Sequence, residues 1–148
     1  MSDPHVRRVR LFLDANVLVS AAWKDGSKVT RIWNIPDIEL VTSNYIVAEC
    51  KRNPPRQDQQ DRLNRLMLAV RVLEFQRTPV LEIPPSLPVK GQPVLAAAFL
   101  SWADFLVTGD RKHFGAWYGA TVLGIRVEPP ASFPQILFPP LHDESQPS

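Results

Sequence analysis

A three-layer α/β/α sandwich around a parallel sheet is the fold class this sequence predicts. Short, almost wholly apolar runs alternate with segments of helical periodicity, and the strongest of these runs break off at an acid. Strands covered on both faces read as continuous apolar runs, and strands joined through helices pair in parallel. At 148 residues, 45% hydrophobic and 22% charged, the chain has the size and composition of one globular domain with a real core. We expect an arm over residues 1–7, the domain over 8–138, and a Pro-rich tail at 139–148 that reads as disordered.

The elements follow in order. Val9-Arg10-Leu11-Phe12-Leu13 is a strand, and from Ala15 to about Trp23 a small-residue helical face takes over. After the turn at 24–27, Ser27 is placed to cap a second short helix through Ile32 and Trp33. Ile38–Val41 is the second strand, followed by a helix capped by Ser43 or Asn44 and stopped at Pro54-Pro55. Leu63, Leu66, Met67, Val70 and Leu73 recur at helical spacing, which predicts a helix over 57–75. A short strand is expected at Pro79–Ile83 and a loop at 84–92. Pro93 then opens an apolar helix reaching Trp102. Phe105-Leu106-Val107 is a strand running into Thr108-Gly109-Asp110. Val122–Val127 is another, with a short helix over Ala131–Phe138.

Several function classes find no support. The charge of +2 and pI near 8.9 permit a nucleic-acid partner without requiring one. Cys50 is the lone cysteine, so no internal disulfide is available, and it reads as a small core residue in a reducing compartment. No run approaches the roughly 20 apolar residues that span a bilayer, and the first residues lack a signal-peptide core, so we expect a cytoplasmic protein and no membrane contact. No Gly-rich phosphate loop and no G-x-S-x-G elbow is present. His5, His113 and His142 lack zinc-ligand spacing. His113 reads as a surface residue, and Arg111-Lys112-His113 are placed to touch a phosphate backbone.

The acids carry the chemistry. Parallel sheets bind ligands beyond the carboxyl ends of their strands, where Asp14 and Asp110 fall. Glu49 borders the apolar face of the helix after the second strand. Each has a plain alternative: Asp14 as a helix N-cap, Asp110 as a turn aspartate, Glu49 as a solvated partner of Arg52 or Arg56, and Asp104 as a turn or cap residue. Together they describe carboxylates that repel one another unless a cation neutralises them, and oxygen donors without Cys or His favour Mg²⁺ or Mn²⁺. Asn16 is placed to brace Asp14 or a metal-bound water.

At these residues the chain resembles the PIN-domain family of metal-dependent ribonucleases, particularly VapC-like toxins of toxin–antitoxin pairs. The likeness lies in LFLDANVLVSAAW (11–23), SNYIVAEC (43–50), PVLAAAFLSWADFLVTGD (93–110) and GIRVEPPASF (124–133). It implies an RNA-cleaving site with Asp14, Glu49 and Asp110 as catalytic metal ligands, supported by Asn16, Thr108 and, more weakly, Asp104. It also implies an antitoxin covering the acidic crevice, and often a homodimer, for which apolar residues around Trp23, Ile32 and Trp33 offer a surface or else belong to the core. Arg111 and Lys112 are the expected RNA contacts, and basic residues along 51–77 read as an RNA track or as a solvated helix face.

One family acid is missing. The carboxylate usually found just before the P-V-L-A-A-A helix falls at Gln92, or less naturally at Gly91. Gln92 offers a carbonyl oxygen without charge, which weakens a divalent-cation site. The alternative is therefore a catalytically impaired module that binds RNA or an antitoxin. A third reading is an unrelated doubly wound domain whose acids are caps and turns.

Overall fold

In the computed structural model, residues 8–52, 56–80 and 91–133 are described. Six strands form one sheet in the order β3-β2-β1-β4-β6-β5: β1 (Val9–Leu13), β2 (Ile38–Ser43), β3 (Val70–Leu73), β4 (Phe105–Val107), β5 (Thr121–Val122) and β6 (Ile125–Glu128). All neighbouring pairs are parallel except β5–β6. The helices are α1 (Ala15–Ala22), α2 (Asn44–Arg52), α3 (Gln57–Met67), α4 (Gln92–Leu100) and the short α5 (Arg111–Phe114). Helix α1 packs against both α2 and α3, while α4 packs on β2 and β4. The chain runs outward from β1 through β2 to β3, then returns through α4 to β4 on the other side of β1. That reversal puts α4 on the opposite face and gives the α/β/α layers expected.

The central strands are apolar because both faces are covered. Leu11, Phe12, Leu13, Val41, Leu106 and Val107 are fully buried, joined by Leu18, Leu95, Phe114 and Phe133. Phe133 meets Phe105 edge-on with ring centroids 5.2 Å apart. Cys50 is buried, as a core cysteine should be.

Five element assignments need correction. The helix expected over 57–75 ends at Met67, and Val70–Leu73 is β3, paired in register with Leu40–Ser43. Two β-branched residues in alternation pair with β2 better than they extend a helix, so tertiary pairing overrides the periodicity. The strand expected at Pro79–Ile83 is absent at Pro79 and Val80, and 81–83 lie outside the described residues. Val122–Val127 is a tight hairpin rather than one strand, turning at Leu123-Gly124, both with positive φ. The second short helix is a 3₁₀ helix, Lys28–Asn34, and the hydroxyl of Ser27 bonds Ser20 O instead of capping it. Only a 3₁₀ turn at Pro130–Ser132 begins the last expected helix, and 134–138 lie outside the described residues. Ser43, not Asn44, caps α2 by accepting from Ile46 N at 3.2 Å.

Candidate functional site

The topology reverses between β1 and β4, and the carboxyl ends of these two adjacent strands carry the acids. Asp14 follows β1, and its backbone N extends the ladder to Val107 O at 3.0 Å. Its side chain does cap α1, accepting from Ala15 N at 2.8 Å. That role does not exhaust it. The other oxygen accepts from Thr108 Oγ1 at 2.8 Å and Asn16 Nδ2 at 3.2 Å. Asp14 is 5% exposed, and all three partners are neutral, so none cancels its charge. Burial pushes its carboxyl above the usual range, and nearby Glu49 and Asp110 push the same way against the lowering hydrogen bonds.

Thr108 ties the two strand ends together. Fully buried, it donates to Asp14, accepts from Asp110 N at 3.1 Å, and its carbonyl accepts from the Tyr118 hydroxyl at 2.8 Å. Asn16 spans the same gap, its Oδ1 accepting from Gly109 N at 2.6 Å while its amide donates to Asp14. A side chain at position 109 would press on Asn16, with a Cβ 3.2 Å from Oδ1, so glycine suits this close approach. Asp110 caps α5, its Oδ1 accepting from His113 N at 3.1 Å.

Asp14, Glu49 and Asp110 line one cavity of about 270 Å³ together with Asn16, His113 and Phe114. Glu49 reaches it from α2 as an exposed side chain with no ion pair or hydrogen bond among the described residues. Two residues stand elsewhere or aside. Asp104 lies at the opposite end of β4, accepting from Arg10 N at 2.8 Å, so the structure does not bring it to the cavity. Gln92 is the first residue of α4, two before Val94, which does line the cavity. A Cβ at Gly91 would sit 2.9 Å from the buried Phe114 ring, so position 91 has no room for a carboxylate.

Arg111 and Lys112 are exposed directly after Asp110. His113 is not the surface residue expected, since it is half-buried in the cavity wall. The spacing D-x-x-H across one helical turn was the signal for it. Tyr118 had no comparable signal, and burial raises its hydroxyl pKa. Of the apolar surface considered for dimerisation, Ile32 is buried and Trp33 donates to Leu66 O at 3.0 Å, leaving Trp23, 59% exposed.

Among the described residues, no three His, Cys, Asp or Glu side chains close into a ready metal cage. The donors nevertheless fit a hard cation. Mg²⁺ takes one or two carboxylates and keeps several waters, and here a buried, uncompensated aspartate shares a cavity with two further carboxylates.

Fold and site together define an open, doubly wound α/β domain with acids at its topological switch point. A PIN-domain model matches residues 10–112, and the chain belongs to the PIN-domain family. No curated protein sequence gives a significant match. Among solved structures, the chain is similar to one from VapBC2 of Rickettsia felis, bound to a DNA fragment from its promoter. That match has 14% identity and a TM-score of 0.59, covering 82% of this chain and 98% of the other. It is also similar to a PilT N-terminus domain protein from Sulfolobus solfataricus P2, with 16% identity and a TM-score of 0.54, covering 90% and 98%. No helix among the described residues is long and apolar enough to cross a membrane.

Proposed function

We propose that this protein is a metal-dependent endoribonuclease, the cytoplasmic toxin of a toxin–antitoxin pair. The observation that carries the reading is the shared cavity of Asp14, Glu49 and Asp110 at the β1/β4 switch point. Asp14, Glu49 and Asp110 would hold Mg²⁺ or Mn²⁺, which when bound orients a water and offsets charge on the phosphodiester. Thr108 and Asn16 fix Asp14 by donating to it, and Asn16 also fixes the backbone at Gly109. Arg111 and Lys112 supply cations where the RNA backbone enters.

The antitoxin partner has a matching surface. A groove of about 570 Å³ lined by Val19, Ala22, Trp23 and Leu63 shares Asn16 and Glu49 with the acidic cavity. A helix with an apolar face would fill the groove and reach the acids with a cation. The likeness to the VapBC2 structure supports a partner of this kind.

Gln92 favours a second reading, an impaired PIN domain that binds without cleaving. RNA cleavage with Mg²⁺ and Mn²⁺, by the parent, Asp14→Asn and Gln92→Asp, separates the two. Cleavage by the parent that Asp14→Asn abolishes is the expected result. A silent parent revived by Gln92→Asp would establish the second reading, and silence of all three beside normal RNA binding would sink the nuclease.

A further inference from the structure

The cavity wall holds one chemically active side chain that this reading leaves unused, His113. Its ring Nδ1 lies 2.6 Å from Asp110 Oδ2, while its backbone N donates to Asp110 Oδ1. One residue thus engages both oxygens of the acid. An ionised carboxylate only accepts, so the ring contact needs the proton on Nδ1. A 2.6 Å contact to an ionised group is at the strong end of such bonds.

Asp110 needs that hold. It stands on a turn after an exposed glycine, it opens a helix of only four residues, and it is half-exposed beside two other carboxylates. Their repulsion drives its side chain toward solvent, and water would receive it at little cost. Asp14 is fixed by Thr108, Asn16 and the α1 backbone, whereas the side-chain hydrogen bonds of Asp110 among the described residues come from His113 alone.

We propose that His113 is a positioning residue of the acidic site: its Nδ1–H holds the Asp110 carboxylate at the cavity wall against its acidic neighbours. The inference rests on the metal-site reading, because it gives Asp110 a task that depends on orientation. Hydrogen-bonded partners of metal ligands typically contribute 10–100-fold in metal affinity. With a glutamine at position 92, the remaining acids have more to gain from such support.

Mn²⁺ binding by calorimetry, without RNA, tests it on the full chain. His113→Ala is expected to weaken binding by about 10–100-fold. His113→Asn should return it to within a few-fold of the parent, because the asparagine amide donates from near the Nδ1 position. Long-range ¹H–¹⁵N spectra of the histidine ring should show the Nδ1–H tautomer in the parent and its loss in Asp110→Ala. Unchanged Mn²⁺ affinity in His113→Ala, an asparagine variant as weak as alanine, or an Nε2–H tautomer would each overturn the positioning role. Unchanged metal affinity with weakened RNA binding would mean that His113 contacts phosphate instead. A parent that binds no Mn²⁺ yet keeps the Nδ1–H tautomer would overturn the metal site itself and leave His113 a structural partner of the Asp110 helix cap.

Discussion

Asp14 and Thr108 show how single residues hold a site that is costly to assemble. An ionised carboxylate at 5% exposure with only neutral partners needs each of them, and Thr108 is the one that also reaches Asp110 N. Thr108→Val keeps the volume but removes a donor to Asp14 and strands a partly buried backbone N–H. Unsatisfied groups of this kind cost about 1–3 kcal/mol, so urea unfolding should show a loss in that range. Thr108→Ser keeps the hydroxyl and should stay within about 1 kcal/mol of the parent. Equal losses in the two variants would mean that the methyl packing, not the hydrogen bonds, matters at this position. Burial and the nearby Glu49 and Asp14 likewise push the Cys50 thiol up to about 11. A disulfide reagent, which the thiolate attacks with release of a thiolate leaving group, should therefore react with the native chain far more slowly than with the unfolded one.

At the scale of elements, α4 is where the chain lacks the acid that its resemblance to the family led us to expect. Its first turn contains no acid, and Gln92 is its first residue. Gln92→Asp therefore acts in two ways: a carboxylate near the helix N-terminus is favourable by about 0.3–1 kcal/mol, and it adds a charge two residues before the cavity-lining Val94. Calorimetry should show tighter Mn²⁺ binding with no loss of thermal stability. A gain in stability without a gain in affinity would place residue 92 outside the metal's reach. The elements also mark how far the sequence could be read. β1, β4 and their acids were legible because a polar residue after a buried apolar run has few structural uses. β3 was not, because Leu68-Ala69 puts neither Gly nor Pro between Met67 and Val70, and Val70 and Leu73 continue the helical spacing of α3 by coincidence. The hairpin turn at Leu123-Gly124 was obscured by its flanking apolar residues. His113 reads as a surface residue in the sequence because its partial burial depends on a four-residue helix capped by Asp110, too short to leave a periodic signal.

For the whole molecule, the switch point sets a linkage between pH, metal and stability. The strand order brings Asp14, Glu49 and Asp110 to one cavity before any cation is present, so the metal-free fold carries their repulsion. Asp14 has its folded pKa raised above the ordinary 3.8, chiefly by burial. For an acid shifted this way, the unfolded chain releases the proton more readily, so the native state is penalised above the folded pKa. That penalty fades as pH falls toward the unfolded value. Other acids act in the opposite sense: Asp58, held low by Arg62 and Arg56, loses its contribution on acidification. Asp14→Asn removes the charge and can keep the helix cap, but its single acceptor oxygen cannot serve Ala15 as well as Thr108 and Asn16, so it is the pH dependence of the difference from the parent that reads the Asp14 titration. In chelator, Asp14→Asn should be the more stable at about pH 8, with the gap narrowing as the pH falls toward the ordinary carboxyl value of 3.8. Mn²⁺ should then stabilise the parent, by about 2.7 kcal/mol at a hundredfold excess over its Kd, and shift the variant much less. Denaturant titrations at both ends of that pH range, with and without metal, read all four terms. A parent that outlasts Asp14→Asn in chelator at high pH would mean that the hydrogen bonds from Thr108, Asn16 and Ala15 outweigh the burial of the charge. Asp14 would then be a structural cap first, and the metal would have no strain to relieve.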